Sequence, residues 1–415
     1  MKRNQGQFLL SEMWPLADKI AEYLRQHEEI DRVETAGEIR RRSIIVEMID
    51  IVAASAAPEN AVESALGMPG IESVLYRSVT GFTAILTAGI KLNFQAVKPE
   101  QFALALHNAT GSEAFINQLN RYAARSGISV PEQPKDEYEI YSALSIQYIE
   151  PELREGLGEI ENAHLRKLPN LVNEQDIRGA LHVHTSYSDG SASISDMASA
   201  AQKRSWGYIG IADHSRSAYY AGGLKLRAVA AQRQAIDKFN AENNEIKILA
   251  GIESDILPDG SLDYPDDILA QFDFVIASVH SAFRIGEEKM TRRFEKAAEN
   301  KYVTMLGHPT GRMLLKRPEY AVDIAAVIKA AANTGTLIEI NANPRRLDLD
   351  WQWCRDAKAQ GVMLAINPDA HAPGELDYVR YGTAVARKGG LAAADILNTR
   401  STEELIKIIA QKRGK

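Results

Sequence analysis

The stretch GALHVHTSYSD, residues 179–189, decides how this sequence is interpreted. Its first half is apolar enough to predict a buried strand, and its second half has the Ser and Asp composition of a loop. His182 and His184 are two residues apart, so an extended chain turns both imidazoles to the same face. The two can therefore bind one ion together, and Asp189 can turn back towards them from the loop.

Further apolar runs follow this stretch, and helical stretches fill most of the gaps between them. The predicted strands are Gly179–His184, Gly207–Ala212, Ile246–Gly251, Phe272–Val279, Val303–Gly307, Thr336–Asn341 and Gly361–Asn367. The predicted helices cover residues 192–205, 225–242, 287–300, 319–334 and 350–359. Strands that alternate with helices predict a parallel α/β barrel-like fold, whose chemistry lies at the C-terminal strand ends.

Most of these strand ends carry a potential metal ligand. The candidates are His182, His184, Asp189, His214, Glu253, His280, His308, Asp369 and His371. Taken alone, each histidine is better explained as a hydrogen-bonded core residue, Asp189 as a turn residue and Asp369 as a helix cap. Because nearly all the strand ends behave alike, we interpret the set as a multinuclear divalent metal centre.

Composition limits the other classes of protein. The chain has 415 residues, 45% hydrophobic and 25% charged, which is ordinary for a globular protein of two or three domains. Cys354 is the single cysteine, which excludes an intramolecular disulfide and a Cys-based zinc site and fits a cytoplasmic setting. No apolar stretch predicts a signal peptide or a membrane span. The net charge of −7 does not exclude a nucleic-acid partner, since three divalent ions would bring it to about −1.

The N-terminal part has a different pattern. We predict an amphipathic helix over residues 8–26, a helical region over 100–126 and a connector with short helical pieces over 130–173, with the main boundary near Leu171. The predicted strands between the two helical regions are Val33–Ala36, Ile44–Ala53, Ile71–Tyr76, Phe82–Leu86 and Lys91–Val97.

The C-terminal motifs resemble those of a known family. The segments are LHVHTSYSDG (181–190), IADHS (211–215), GIESDILPDGSLD (251–263), ASVHSAF (277–283), GHPTGR (307–312), EINANPRRLDL (339–349) and NPDAH (367–371). They resemble the polymerase and histidinol phosphatase (PHP) domain, most closely the version at the C-terminal end of bacterial family X DNA polymerases (PolX). The resemblance covers about residues 175–405.

This resemblance implies a distorted seven-stranded (β/α) barrel with three divalent ions, either manganese, zinc or iron. The implied ligand sets are His182, His184, Glu253 and Asp369 for one ion, the shared Glu253 with His280 and His308 for the second, and Asp189, His214 and His371 for the third. Water activated between two ions bridged by Glu253 would attack phosphorus. Arg312 and Arg346 match basic positions of the PolX motifs and would neutralise phosphate oxygens, whereas Asp213 and Asp255 are expected to support the ligands.

The N-terminal part, over about residues 8–126, resembles the nucleotidyltransferase-like palm and thumb of PolX. The matching segments are AGEIRR (36–41), EMIDIV (47–52) and TGS (110–112). Of the three carboxylates that this resemblance implies for nucleotide addition, Asp50 alone is present. Met48 and Asn93 fill the other two positions, and the odd spacing of Glu47 from Asp50 turns Glu47 to the opposite face.

Other departures point the same way. Glu38 stands where the family has a phosphate-binding serine, and Asn108-Ala109 where it has an aromatic pair, so polymerase activity is expected to be lost. The helix-hairpin-helix part that precedes the palm in PolX is expected to be missing. Two interpretations stay open for Arg40, Arg41 and Arg42: contact with DNA, or a solvated face. The expected domains are a degenerate palm with its N-terminal helix (1–100), a thumb-like region with connector (101–172) and the PHP domain (173–415).

The resemblance implies a metal-dependent phosphoesterase acting on DNA 3′ ends, single-stranded or gapped. The leading hypothesis is a 3′-5′ exonuclease of DNA repair, with AP endonuclease or 3′-phosphatase activity as additions. The alternatives are a PHP phosphatase of small phosphomonoesters and a non-catalytic DNA-binding scaffold. The oligomeric state does not follow from the sequence.

Overall fold

The structure, a computed structural model, describes residues 6–414. The chain divides between Pro169 and Asn170 into two compact units. The finer division into three parts stays a prediction. Within the described range, no helix combines the length and the apolar character needed to cross a membrane.

The N-terminal unit is an α+β fold. Its strands are β1 (Phe8–Leu9), β2 (Arg32–Ala36), β3 (Ile45–Val46), β4 (Met48–Ala54), β5 (Ile71–Ser78), β6 (Gly81–Leu86) and β7 (Lys91–Val97). Its helices are α1 (Leu10–Leu24), α2 (Gly37–Arg40), α3 (Pro58–Leu66), α4 (Phe102–Thr110), α5 (Glu113–Arg125), α6 (Glu137–Ala143) and α7 (Glu159–His164). Five strands form a sheet in the order β2-β4-β7-β6-β5, in which β4 and β7 are parallel, and β1 pairs with β3.

Two predicted elements of this unit are divided in the structure. The helical region 100–126 is two helices, because Gly111 is extended and Ser112 caps α5 by accepting a hydrogen bond from the Phe115 N–H at 3.1 Å. The predicted strand 44–53 is interrupted at Glu47, between β3 and β4. The short helical pieces predicted in the connector are present in the structure as α6 and α7.

The C-terminal unit is a nearly closed parallel barrel. Its strands are β8 (Gly179–Val183), β9 (Tyr208–Ile211), β10 (Lys247–Asp255), β11 (Phe274–Ser278), β12 (Met305–Leu306), β13 (Leu337–Asn341) and β14 (Leu364–Asn367), paired in sequence order. Its helices are α8 (Ile194–Gln202), α9 (Leu226–Glu242), α10 (Asp266–Leu269), α11 (Glu287–Glu299), α12 (Ile324–Thr334), α13 (Trp351–Ala359), α14 (Val379–Lys388) and α15 (Thr402–Lys412). A parallel bridge between Val183 and Ala370 joins the first strand to the last. The predicted fold class is confirmed.

The barrel interior is packed with side chains below the C-terminal strand ends. Phe274 is fully buried, and Gly210 and Gly251 leave room for its ring: a Cβ on Gly251 would lie 2.1 Å from Phe274 Cζ. The strands are largely apolar because both faces are covered, as in other parallel sheets, and Glu253 on β10 and Glu339 on β13 are exceptions. A filled interior leaves the mouth of the barrel, at the C-terminal strand ends, as the place for a site.

Candidate metal centre

The nine predicted ligands gather at the C-terminal mouth of the barrel. Three overlapping groups have potential ligand atoms that all lie within 4.8 Å of one another: His184, Asp189, His214 and His371; His182, His184 and Asp369; and His214, Glu253 and His280. His308 joins them through Nε2, which lies 2.9 Å from Glu253 Oε1. The structure therefore brings together residues that are almost 190 positions apart in the chain.

Glu253 occupies the middle of this cluster. It lies on β10, which extends further than predicted, so Glu253 is within the strand and its side chain projects into the mouth. Its Oε1 is 3.2 Å from His280 Nε2 and 3.4 Å from His182 Nε2, and its Oε2 is 3.8 Å from His184 Nε2. A carboxylate with imidazoles on both oxygens can bridge two ions.

The grouping differs in part from the implied ligand sets. His214 Nδ1 lies 2.8 Å from Glu253 Oε2, and His214 Nε2 lies 3.6 Å from Asp189 Oδ2. His214 thus faces Glu253 as well as Asp189, while His371 Nε2 is 3.3 Å from Asp189 Oδ1. The same nine side chains converge, but the assignment of His214 to one ion stays a prediction.

Unsatisfied buried atoms show that the cluster suits cations. Among residues 6–414, no hydrogen-bond partner is found for His182 Nε2, His184 Nδ1 or His308 Nδ1. Leaving such an atom unsatisfied costs about 1–3 kcal/mol, whereas a metal ion would use its lone pair. Mixed imidazole and carboxylate donors suit manganese, zinc and iron.

The electrostatics of the cluster agree with this. Burial disfavours the charged form of Glu253, but the neighbouring histidines hold its pKa well below the usual range. Burial likewise opposes protonation of His214 and His280, yet Glu253 and other carboxylates raise their pKa values to about 10 and about 9. Burial and the adjacent histidines lower the pKa of His184 to about 4, so its imidazole is neutral and able to bind metal. The carboxylates at the mouth thus favour positive charge on their neighbours, as a bound cation would supply it.

Carboxylates behind the cluster orient its histidines. Glu339 on β13, which the sequence reasoning missed, accepts a hydrogen bond from His182 Nδ1 at 2.7 Å and from the His308 backbone N–H at 2.8 Å. Asp255 pairs with His280 Nδ1 at 2.6 Å, and Asp213 accepts from the Thr185 N–H at 2.8 Å. The signal for Glu339 was present: it is a charged residue inside an apolar strand, two positions before Asn341.

The two predicted arginines lie in different surroundings. Arg346 is at the edge of the cluster, with Nε 3.5 Å from Asp369 Oδ2. Arg312 is buried and donates from Nε to the Arg346 carbonyl at 2.8 Å and from Nη1 to Asp350 at 2.9 Å. The geometry therefore does not support direct contact between Arg312 and a phosphate. It supports a role for Arg312 in fixing the segment that carries Arg346.

Residues 6–169 of the N-terminal unit contain no comparable site. Asp50 on β4 pairs in register with Asn93 on β7, and Asn93 Nδ2 donates to Asp50 Oδ1 at 3.0 Å. Met48 precedes Asp50 by two positions and offers no ligand oxygen, while Glu38 accepts the Glu47 N–H at 2.7 Å. Burial raises the pKa of Asp50. Within the described part of this unit, no three His, Cys, Asp or Glu residues are close enough to hold an ion.

The three arginines of the predicted basic patch have partners within their own unit. Arg40 forms a 2.5 Å ion pair with Glu137, Arg41 a 3.0 Å ion pair with Glu155, and the Arg42 guanidinium lies 3.4 Å from the centre of the Trp14 ring. These side chains are partly buried and do not form a fully solvated face, because two carboxylates and an aromatic ring of the same unit compensate their charge. Contact of these arginines with DNA stays a prediction.

Comparison with known proteins gives the class of the C-terminal unit. The family model for the PHP domain matches residues 180–343, which include seven of the nine predicted ligands. The barrel and its cluster are those of a PHP-type phosphoesterase, a metal-dependent hydrolase.

A relative that aligns with nearly the whole chain then gives the family. The DNA polymerase/3'-5' exonuclease PolX of Bacillus subtilis (strain 168) is 37% identical over 404 residues, which cover 94% of this chain and 70% of the relative. The chain belongs to the PolX family. Probable phosphatases of Thermoanaerobacter sp. (strain X514) and Caldanaerobacter subterraneus subsp. tengcongensis are 32% and 36% identical over 164 and 138 residues. These two alignments cover 37% and 30% of this chain, and 64% and 51% of the respective phosphatases.

Proposed function

We propose that this chain is a 3′-5′ exonuclease that hydrolyses phosphodiester bonds at DNA 3′ ends with a trinuclear metal centre, and that it does not polymerise DNA. The observation that carries the proposal is the contrast between its two units. Nine potential ligands converge at the mouth of the barrel, whereas a single carboxylate, Asp50, remains on the palm-like strand. Nucleotide addition needs carboxylates that hold two magnesium ions, so the retained chemistry is hydrolytic.

The residues of the mouth have distinct tasks in this proposal. Divalent ions would lower the pKa of water and neutralise charge that develops on the phosphate. Glu253 holds the ligand groups together, and Glu339 and Asp255 fix the ring orientation of His182 and His280. Arg346, at the rim, is placed to bind a non-bridging phosphate oxygen.

The choice of DNA rests on the length of the similarity. The relative named as a DNA polymerase and 3'-5' exonuclease aligns with 94% of this chain, including the N-terminal unit. AP endonuclease and 3′-phosphatase activity are additions that the same centre could supply. A phosphatase of small phosphomonoesters is the second candidate, favoured by the probable phosphatases that align with less than half of the chain.

One comparison tests these candidates. The purified chain with manganese is incubated with end-labelled single-stranded, recessed-end and abasic DNA, beside a panel of small phosphomonoesters. Stepwise shortening from the 3′ end supports the exonuclease, and release of phosphate from small substrates alone supports the phosphatase. DNA retention without any hydrolysis would support a scaffold. The Glu253→Gln variant provides the matched inactive control.

A further inference from the structure

Two tyrosines stand exposed beside the metal centre. Tyr219 and Tyr220 expose 86% and 66% of their surfaces, although they follow the strand end that carries His214. The Tyr220 ring centre is 6.4 Å from that of His214, and the two tyrosine rings are 6.3 Å apart in an edge arrangement. The pair therefore begins at a predicted metal ligand and extends outward from the mouth.

The loop that carries them, residues 215–224, is held in place at several points. The Leu224 N–H donates to the His214 carbonyl at 2.8 Å and closes the base of the loop. Ser217 donates from Oγ to Asp255 at 2.6 Å and from its backbone N–H to Asp263 at 2.7 Å. Gly223 permits a close crossing, since a Cβ there would lie 2.0 Å from the Ser215 carbonyl oxygen. These hydrogen bonds hold the backbone of the loop, and so the positions from which Tyr219 and Tyr220 project.

The direction of the side chains follows from the loop's own packing. Ala218 is completely buried and Ala221 is 4% exposed, so the small residues on either side of the tyrosines face the protein. The tyrosines themselves face outward. The loop is held by several hydrogen bonds and lies at the edge of the metal centre. Two large exposed aromatic rings in such a position indicate a ligand-binding surface.

We propose that Tyr219 and Tyr220 form a stacking platform for the bases next to the scissile phosphate. This inference rests on the proposed function and specifies its substrate as a strand with unpaired bases at its 3′ end. Every base has a π face, so stacking on aromatic side chains tolerates any sequence, which an exonuclease needs as it moves along a strand. The contact of Tyr220 with His214 places such a base beside the phosphate site. A small phosphomonoester without a base would gain nothing from this platform.

The test compares two oligonucleotides of equal length. One carries normal bases at its 3′ end, and the other carries tetrahydrofuran residues that lack a base at its last positions. Hydrolysis rates and binding, by fluorescence anisotropy, are measured for the wild-type chain and for the Tyr219→Ala, Tyr220→Ala and doubly substituted variants. The Phe variants keep the ring and should restore wild-type behaviour. Ile406→Ala removes an exposed apolar side chain from α15, beside the N-terminal end of β10, and serves as the matched control.

The outcomes separate this inference from the proposed function. We expect each Ala substitution to raise KM for the base-bearing strand about 5- to 150-fold, with kcat little changed and no effect on the base-free strand. If the wild-type chain hydrolyses DNA but the double variant keeps its preference for bases, the platform is refuted and the exonuclease stands. A change in oligomeric state alone would assign the tyrosines to a protein contact and also refute the platform. If the wild-type chain hydrolyses no DNA, both proposals fail.

Discussion

Replacing Glu339 by Gln should weaken metal binding without touching any predicted ligand. Glu339 is fully buried and accepts from four donors: His182 Nδ1 at 2.7 Å, the His308 N–H at 2.8 Å, Asn367 Nδ2 at 3.1 Å and Asn341 Nδ2 at 3.2 Å. His182 Nδ1 and Asn367 share one oxygen, and the other two donors share the second. An amide nitrogen in either place would face two donors, so the substitution leaves one pair without an acceptor.

The expected loss of metal affinity follows from the role of Glu339 in orienting His182. Groups that orient metal-binding histidines typically contribute 10- to 100-fold to metal affinity, or roughly 1.4–2.7 kcal/mol. Without the Glu339 carboxylate, the His182 ring is no longer held with Nε2 towards Glu253 and Asp369, from which it lies 3.4 and 3.5 Å. We therefore expect the Kd for manganese to rise about 10- to 100-fold.

The assay is competition between metal-free protein and a chelator of known affinity, followed by measurement of the metal bound at equilibrium. Glu287→Gln, at an exposed position in the first turn of α11, is the matched control and should leave the Kd unchanged. Circular dichroism verifies that the variant is folded. A folded Glu339→Gln chain with wild-type metal affinity would refute the orientation argument.

Three further predictions follow from other contacts. Asp50→Asn should leave hydrolysis at the wild-type rate, because the palm-like strand holds no second carboxylate partner; a rate loss above tenfold in a 3′-end assay would contradict this division. Arg346→Ala should lower kcat about 10²–10³-fold, as loss of a charge-stabilising donor does, and Arg346→Lys should recover part of that rate. Equal rates for the wild type and both variants would show that Arg346 takes no part in the site. Burial opposes ionisation of Glu137, but Arg40 and Arg154 lower its pKa to about 2, so its stabilising effect is complete above about pH 4.5 and is lost as pH falls towards 2. Urea unfolding at pH 5 and pH 3 should show the difference between wild type and Glu137→Gln shrinking at the lower pH; a constant difference would contradict the assignment.

The barrel could be predicted because its strands carry a strong local signal. A parallel strand covered on both faces needs apolar residues along its length, so runs such as Phe274–Ser278 are visible without knowledge of their neighbours. Its closure is less visible, since the bridge from Val183 to Ala370 joins distant segments. The end of β10 was placed too early because the polar residues there, such as Glu253, resemble loop composition. The start of α12 was also placed too early: the helix begins at Ile324, after the Asp323 cap.

The candidate ligands were visible for a similar reason. A histidine or carboxylate at the end of an apolar run is chemically out of place, and repetition of that feature gave it weight. Partners that act through another residue gave a weaker signal. Glu339 looks like an isolated charge in a strand, and its role emerges only when His182, 157 positions away, is brought to 2.7 Å.

The cluster of Arg40, Arg41 and Arg42 gave a clear signal whose partners could not be predicted. Three consecutive basic residues suggest a surface for an anionic partner, yet their own unit supplies the anions. Glu137 and Glu155 lie about a hundred positions away, and no local pattern connects them to the arginines. Charge in a sequence therefore predicts a counter-charge, but its source depends on the tertiary fold.

Counting the ions at the barrel mouth tests the central claim most directly. The chain is loaded with manganese, desalted, and measured by elemental analysis and by anomalous diffraction at the manganese edge, beside Glu253→Gln treated identically. We predict three ions among the nine ligands of the wild-type chain, and hydrolysis of DNA 3′ ends that is lost with a chelator and returns with metal. A wild-type chain that degrades DNA while the pocket around Glu253 holds no ion would contradict the account.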